Sequence, residues 1–215
     1  MENIDEEIAD ELLENIRHGD AEAVRKLEEL AAKGNARAMS NLATVFFKGL
    51  GGVDISYKKA AKLFRKAAAL DEVFALATLG IFYRDSKCGF EQDGHKSAEF
   101  FIRAAKRGDE RIALYELAEF YRKGKAGLKP DGYKVIEYLA RLGDFKGIAK
   151  IYRDGECNVQ ADGRKAIEYF LKADAAIDEA VNFTRKFFER NSNIARERLR
   201  VLNLRTSVHR RLSKV

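Results

Sequence analysis

The chain has 215 residues, 46% hydrophobic and 34% charged, with a net charge of +6, which suits one domain or two small ones with a sizeable core. One proline, no tryptophan and an excess of Ala, Leu, Lys, Glu and Arg exclude a strand-rich fold and favour helix throughout. Two cysteines, Cys88 and Cys157, exclude a disulfide framework, and neither forms the C-x-x-C or Cys/His pairing of a zinc module.

Residues 1–20 carry a net charge of −7, and the opening MENIDEEIADELLEN lacks the charged-then-apolar pattern of a secretory signal. No run reaches the ~18 apolar residues of a membrane span, so the expected location is cytoplasmic. Residues 4–17 and 21–33 read as a helical hairpin turning at His18-Gly19-Asp20. Asp20 is its internal N-cap and Gly34 its stop. This hairpin, residues 1–35, is expected to cap the array that follows.

From residue 36 the sequence restates itself. Aligning Leu42, Leu79, Leu117 and Ile148 brings Ala43, Gly80, Ala118 and Ala149 into the next column. Phe46, Tyr83, Tyr121 and Tyr152 then fall four residues on from the first. Leu and the aromatic at i and i+4 share one helical face, and the small residue beside Leu lets backbones approach. Three residues after the aromatic come Gly49, Ser86, Gly124 and Gly155, where glycine supplies a left-handed helix stop. These positions define helix A of a repeated hairpin.

Helix B opens at Ser56, Asp93, Asp131 and Asp162, whose side chains are preferred N-caps. Lys59, Lys96, Lys134 and Lys165 follow three residues later. The buried face then reads Ala60, Leu63, Phe64, Ala67; Ser97, Phe100, Phe101, Ala104; Val135, Tyr138, Leu139; and Ala166, Tyr169, Phe170, Ala173, an amphipathic period. The aromatics are spaced by 37, 38 and 31 residues, so the third unit is about two turns short. The shortening falls at ARLGDFKGIAK, with a stop near Gly143 and Asp144 capping the next helix. Beyond residue 177, Asp178 to Arg190 and Asn193 to about Leu212 read as two terminal helices, the last part of a stretch (185–215) carrying +8. The whole is one domain of about twelve helices with no Pro-, Gly- or Ser-rich linker.

These columns resemble the Sel1-like repeat, a relative of the tetratricopeptide repeat, over residues 36–177. The match is best in the second unit, with Ala75, Leu79, Gly80, Tyr83, Gly89-Phe90, Asp93, Lys96 and Arg103-Ala104-Ala105. The first unit carries Gly52-Val53 and Lys66-Ala67-Ala68, the third Gly127-Leu128 and the fourth Asn158-Val159. Ser86 and Ser56 depart from the glycine stop and the aspartate cap, and the third unit lacks the Ala-Ala end of helix B. The resemblance implies an all-α, α/α superhelical solenoid of helix hairpins whose A helices line a concave groove. It implies a non-enzymatic adaptor for a partner protein or peptide. The role expected on this reading is that of a regulator or immunity-type inhibitor, with no cofactor or metal. Repeat physics alone gives the same class, since each hairpin must stack to bury its face and stacking leaves an extended surface.

The expected groove positions differ between units while the framework repeats. One row is Ser40, Ala77, Tyr115 and Lys146, the next Thr44, Ile81, Glu119 and Lys150. Tyr115 and Ile81 are the favoured anchors. Phe47, Arg84, Arg122 and Arg153 follow the repeat aromatics, and the three guanidinium groups are either an anion-gripping row or solvated helix ends, the latter favoured. His18, His95 and His209 form no ligand or catalytic pair, and no P-loop, G-x-S-x-G or H-E-x-x-H occurs. Cys88 and Cys157 share one loop position two units apart, on the order of 20 Å, beyond the ~7 Å Cα limit of a disulfide. Arg196, Arg200, Arg210 and Arg211 gather on one face of the terminal helix. That face is either a solubilising cap or a patch for an acidic protein, nucleic acid or anionic surface. The opposite charges of the two ends permit weak head-to-tail association of an otherwise monomeric chain.

Overall fold

The computed structural model describes residues 2–174, with side chains from residue 5. Among these residues the secondary structure is helical, an all-α repeat solenoid. The helices are α1 (Glu2–Arg17), α2 (Ala21–Ala32), α3 (Ala36–Lys48), α4 (Tyr57–Ala69), α5 (Val73–Asp85), α6 (Gly94–Arg107), α7 (Arg111–Lys123), α8 (Gly132–Leu142) and α9 (Phe145–Asp154). Residues 163–174 form a further helix, α10. The chain divides into two compact units, Met1–Gly143 with Gly155–Gln160, and Asp144–Asp154 with the residues from Ala161 on. The basic terminal patch, Arg196, Arg200, Arg210 and Arg211, and His209 lie outside the described residues.

In the first unit, α1 and α2 form the N-terminal hairpin. Asp20 accepts from the Glu22 and Ala23 amides at 2.9 and 3.2 Å, and Gly19 and Gly34 are left-handed. Ala9, Leu13, Ile16, Ala23, Leu27 and Ala31 bury its apolar stripe. A polar tie joins the hairpin to the first repeat: the Asn41 amide, buried in α3, donates to the Ala9 carbonyl at 3.0 Å and to Asp10 at 2.9 Å.

Four A-to-B loops follow one design. Each A helix ends at a left-handed residue, Gly49, Ser86, Gly124 and Gly155. Ser86 has no glycine freedom, and its hydroxyl donates to the Phe90 carbonyl at 3.1 Å. Next comes a tight turn with two successive positive-φ residues: Gly51-Gly52, Cys88-Gly89, Ala126-Gly127 and Cys157-Asn158. It is closed by amide-to-carbonyl bonds Val53→Leu50, Phe90→Lys87, Leu128→Lys125 and Val159→Glu156, at 3.0–3.2 Å. That is the type I′ pattern. The helix B caps then lock the loop, because the amides of Ser56, Asp93, Asp131 and Asp162 donate to the carbonyls of Phe46, Tyr83, Tyr121 and Tyr152 at 2.7–3.1 Å. The cap side chains accept from the amide of the lysine three residues on in every repeat.

The lysine column has a second role. Lys59, Lys96 and Lys165 stand 4.7, 5.4 and 5.1 Å over the rings of Phe46, Tyr83 and Tyr152, within cation–π range. Lys134 pairs with Glu137 instead. Inside each of the last three repeats the helix A aromatic stacks on a helix B ring, Tyr83 on Phe100, Tyr121 on Tyr138 and Tyr152 on Tyr169, at 5.6–5.9 Å. Between repeats, Phe64 meets Phe82 edge-on at 5.7 Å and Phe101 meets Phe120 at 6.0 Å.

Two arginines staple successive B helices. Arg103 donates to the Ala68 carbonyl at 3.0 Å and to Asp71 at 2.8 Å. Arg141, 38 residues on, donates to the carbonyls of Ala105 and Gly108 and to Asp109 at 2.7 Å. Each adds a charged donor to carbonyls at the end of the preceding B helix. The third repeat is short as expected: α8 stops at Gly143, which is left-handed, and Asp144 accepts from the Gly147 amide at 2.8 Å.

Candidate interaction cleft

Helices α5 and α7 are the A helices of neighbouring repeats within the first unit. Between the C-terminal end of α5, α7 and the loops that follow them lies a cleft of about 540 Å³, whose lining includes Arg84, Tyr115, Glu116, Glu119, Lys123 and Lys125. Arg84, Tyr115 and Glu119 are three of the positions the sequence assigned to a groove, and the fold brings them together. Tyr115 is the exposed aromatic of the cleft, 58% exposed, with Ile112 one turn before it 42% exposed.

Apart from Lys125, the charges that line the cleft are held in ion pairs. Arg84 binds Asp85 through Nε at 2.6 Å and Nη2 at 3.0 Å, and also pairs with Glu116 of α7. These bonds raise the Arg84 pKa still further, and the Arg84 guanidinium holds the Asp85 carboxyl at about 2. Glu119 is held below the usual carboxylate range by Lys123 and then by Arg122, which donates to it at 2.7 Å. Arg122 also reaches Glu156 at 3.4 Å. The cleft is therefore an exposed aromatic ringed mainly by paired ions, with Lys125 outside those pairs.

The remaining candidates fall elsewhere. Ser40, Thr44 and Ala77 are corrected to interior positions, 0%, 6% and 1% exposed, because such short side chains do not reach past their larger neighbours. The Thr44 hydroxyl donates to the Ser40 carbonyl at 3.1 Å. Phe47 is also no free groove residue, since its ring is 5.6 Å from both Tyr57 and Phe82. Ile81 is half-buried. In the second unit Lys146, Lys150 and Arg153 stand exposed on α9, and Arg153 is paired with Asp154 at 2.7 Å. Arg84, Arg122 and Arg153 are thus each bound to carboxylates, so an open anion-gripping row is corrected to a set of ion pairs.

Cys88 and Cys157 occupy the same turn position with left-handed backbones, both thiols free. Burial pushes both thiols up, away from the reactive thiolate. The Cys157 thiol donates to the Arg122 carbonyl at 3.2 Å. His18 is an exposed partner of Glu14, and the His95 ring lies against the backbone of Gly127. Among the described residues no group of three or more His, Cys, Asp and Glu is placed to hold a metal ion, and no helix is long and apolar enough to cross a membrane.

Sequence reasoning missed Glu116, Asp85 and Lys123. The Arg84–Glu116 pair joins residues 32 apart, and column alignment carries no signal for such a contact. The adjacency of Arg84 and Asp85 and the i,i+4 spacing of Glu119 and Lys123 were the local hints.

Comparison with known proteins places this geometry. The family described as Sel1 repeat matches four times, over residues 36–72, 73–109, 111–144 and 136–173. The last two matches overlap across 136–144, where the short third repeat runs into the fourth. A Sel1 repeat protein from Oxalobacter formigenes aligns with a TM-score of 0.59 at 24% identity, covering 73% of this chain and 64% of that one. The protein c5321, a protective antigen of uropathogenic Escherichia coli with an SLR fold, aligns with a TM-score of 0.62 at 20% identity, covering 90% of this chain and 42% of that one. The chain thus spans less than two thirds of either protein, and at these identities the likeness concerns the fold. No curated protein matches the sequence.

Proposed function

The chain belongs to the Sel1 repeat family, and from that premise we propose that it is a non-enzymatic scaffold which binds a partner protein or peptide in the cleft between α5 and α7, as a regulator or inhibitor of that partner. The observation that carries this reading is Tyr115. A tyrosine 58% exposed beside a cleft of about 540 Å³ is an efficient anchor, since it offers large contact area at small entropic cost. The surrounding ions favour a peptide surface over a polyanion. Arg84 and Arg122 already hold Asp85, Glu116, Glu119 and Glu156, so a phosphate would have to displace carboxylates to be gripped.

The test is the salt dependence of affinity, measured with a partner identified by affinity capture and then purified. Internally paired charges release few counterions, so the Kd should move by less than about threefold between 50 and 500 mM salt. A polyanion held through the Arg-rich segment would lose about a thousandfold or more over a narrower range. Such a loss, abolished by truncation after Arg190, would overturn the proposal.

A further inference from the structure

The turns that follow the A helices share one backbone, so their charges can be compared position by position. The turn opens four residues after the repeat aromatic, at Leu50, Lys87, Lys125 and Glu156, and two residues before each of these stand Lys48, Asp85, Lys123 and Asp154. In the second repeat the two positions neutralise each other, because Lys87 reaches Asp85 at 2.9 Å. In the fourth, the turn itself carries the carboxylate, and Glu156 reaches Arg122 at 3.4 Å.

The third repeat breaks this local pairing. Lys123 stands where the second repeat has Asp85, and it turns back along α7 to Glu119. Lys125 is left exposed, with no ion pair and no side-chain hydrogen bond among the described residues. Its backbone is nevertheless fixed: the amide donates to the Phe120 carbonyl, and the carbonyl accepts from the Leu128 amide, both at 3.0 Å. Lys125 and Tyr115 line the same cleft. In that lining Arg84 is held by Glu116 and Lys123 by Glu119, so the unbalanced charge is Lys125.

We propose that the segment bound in this cleft places an Asp or Glu on Lys125 and a large apolar side chain on Tyr115. The inference rests on the reading of the cleft as the partner site and adds the chemistry of the occupant. A neutral segment laid over Lys125 would strip water from the ammonium without replacing it, whereas a carboxylate restores both a hydrogen bond and a counter-charge. A run of acids is not favoured, because Glu116 and Glu119 line the same cleft and would repel the remainder. The occupant is therefore apolar with one carboxylate at the turn. A single exposed ion pair is weak, worth about two- to fivefold in affinity, so Lys125 chooses among segments and Tyr115 holds them.

Selection of random 12-residue peptides displayed on phage, against the immobilised full chain, tests this. Parallel selection on Tyr115→Ala discards peptides that bind elsewhere. The Tyr115-dependent peptides should carry a ratio of acidic to basic residues about threefold or more above that of the unselected library. Lys125→Glu should bring the ratio down to the library value or below it. Lys129→Glu, the same charge change in the same loop but outside the cleft lining, should leave the bias in place. Tyr115-dependent peptides without an acidic bias would overturn the inference and leave the cleft reading standing. So would a bias that survives Lys125→Glu, or one that Lys129→Glu removes equally. If no peptide depends on Tyr115, the cleft reading falls and this inference falls with it.

Discussion

Replacing Gly80 by Ala sets two effects against each other. Mid-helix, Ala is the better residue by about 1 kcal/mol. At this position, however, its Cβ would lie 2.6, 2.8 and 2.9 Å from three atoms of the Phe101 ring. Phe101 is 0% exposed and backed by Phe120, so the ring has nowhere to move without disturbing the next repeat. Overpacking of this kind costs about 1–3 kcal/mol, which leaves a net loss of about 1 kcal/mol after the helical gain. With a urea dependence of about 2 kcal/mol per M, the midpoint of unfolding followed by circular dichroism should fall by about 0.5 M. Adding Phe101→Leu should recover part of the loss. A midpoint equal to or above that of the parent protein would refute the packing argument.

Other perturbations probe other parts of the framework. Cys88→Gly and Ala126→Gly should each stabilise by about 0.5 kcal/mol, because relief of a left-handed non-glycine, about 1–2 kcal/mol, exceeds the entropy glycine adds to the unfolded chain; lower unfolding midpoints would contradict this. Arg141→Ala should destabilise by about 1–2 kcal/mol through the carbonyls of Ala105 and Gly108, and Arg141→Lys should rescue it only in part, because a lysine is a point donor and not a fork. Folding lowers the Asp85 pKa from 3.8 to about 2, so its contribution is complete above about pH 4 and fades as pH falls towards 2. Asp85→Asn should flatten the acid limb of the stability profile in that window, and an unchanged limb would show that the Arg84 pair is not what acid breaks.

The framework was legible because its determinants are local. The Leu, small and aromatic columns, the Ser and Asp caps, the stops at Gly49 and Gly124 and the short third repeat all depend on residues within about four positions of one another. What the sequence hid depends on distance in the chain or on conformations that residue identity disguises. Ser40 and Ala77 align with exposed Tyr115, yet their short side chains leave them buried. Arg84 aligns with a groove row, yet it is neutralised by Glu116 from the next repeat. Cys88, Ala126 and Cys157 stand in left-handed first turn positions that glycine fills only in the first repeat, so only the second position, Gly52, Gly89, Gly127 and Asn158, shows the shared type I′ turn in the letters.

The central claim is that Tyr115 marks the partner surface, and its most direct test compares two tyrosines. Tyr133, on α8 and outside the cleft lining, is 61% exposed, close to the 58% of Tyr115, so it controls for loss of an exposed ring. Calorimetric titration with the purified partner should show Tyr115→Ala weakening binding about 30-fold, the scale of a 2 kcal/mol anchor, with Tyr133→Ala within about twofold of the parent protein. Equal affinities for both variants, or a larger loss at Tyr133, would contradict the account.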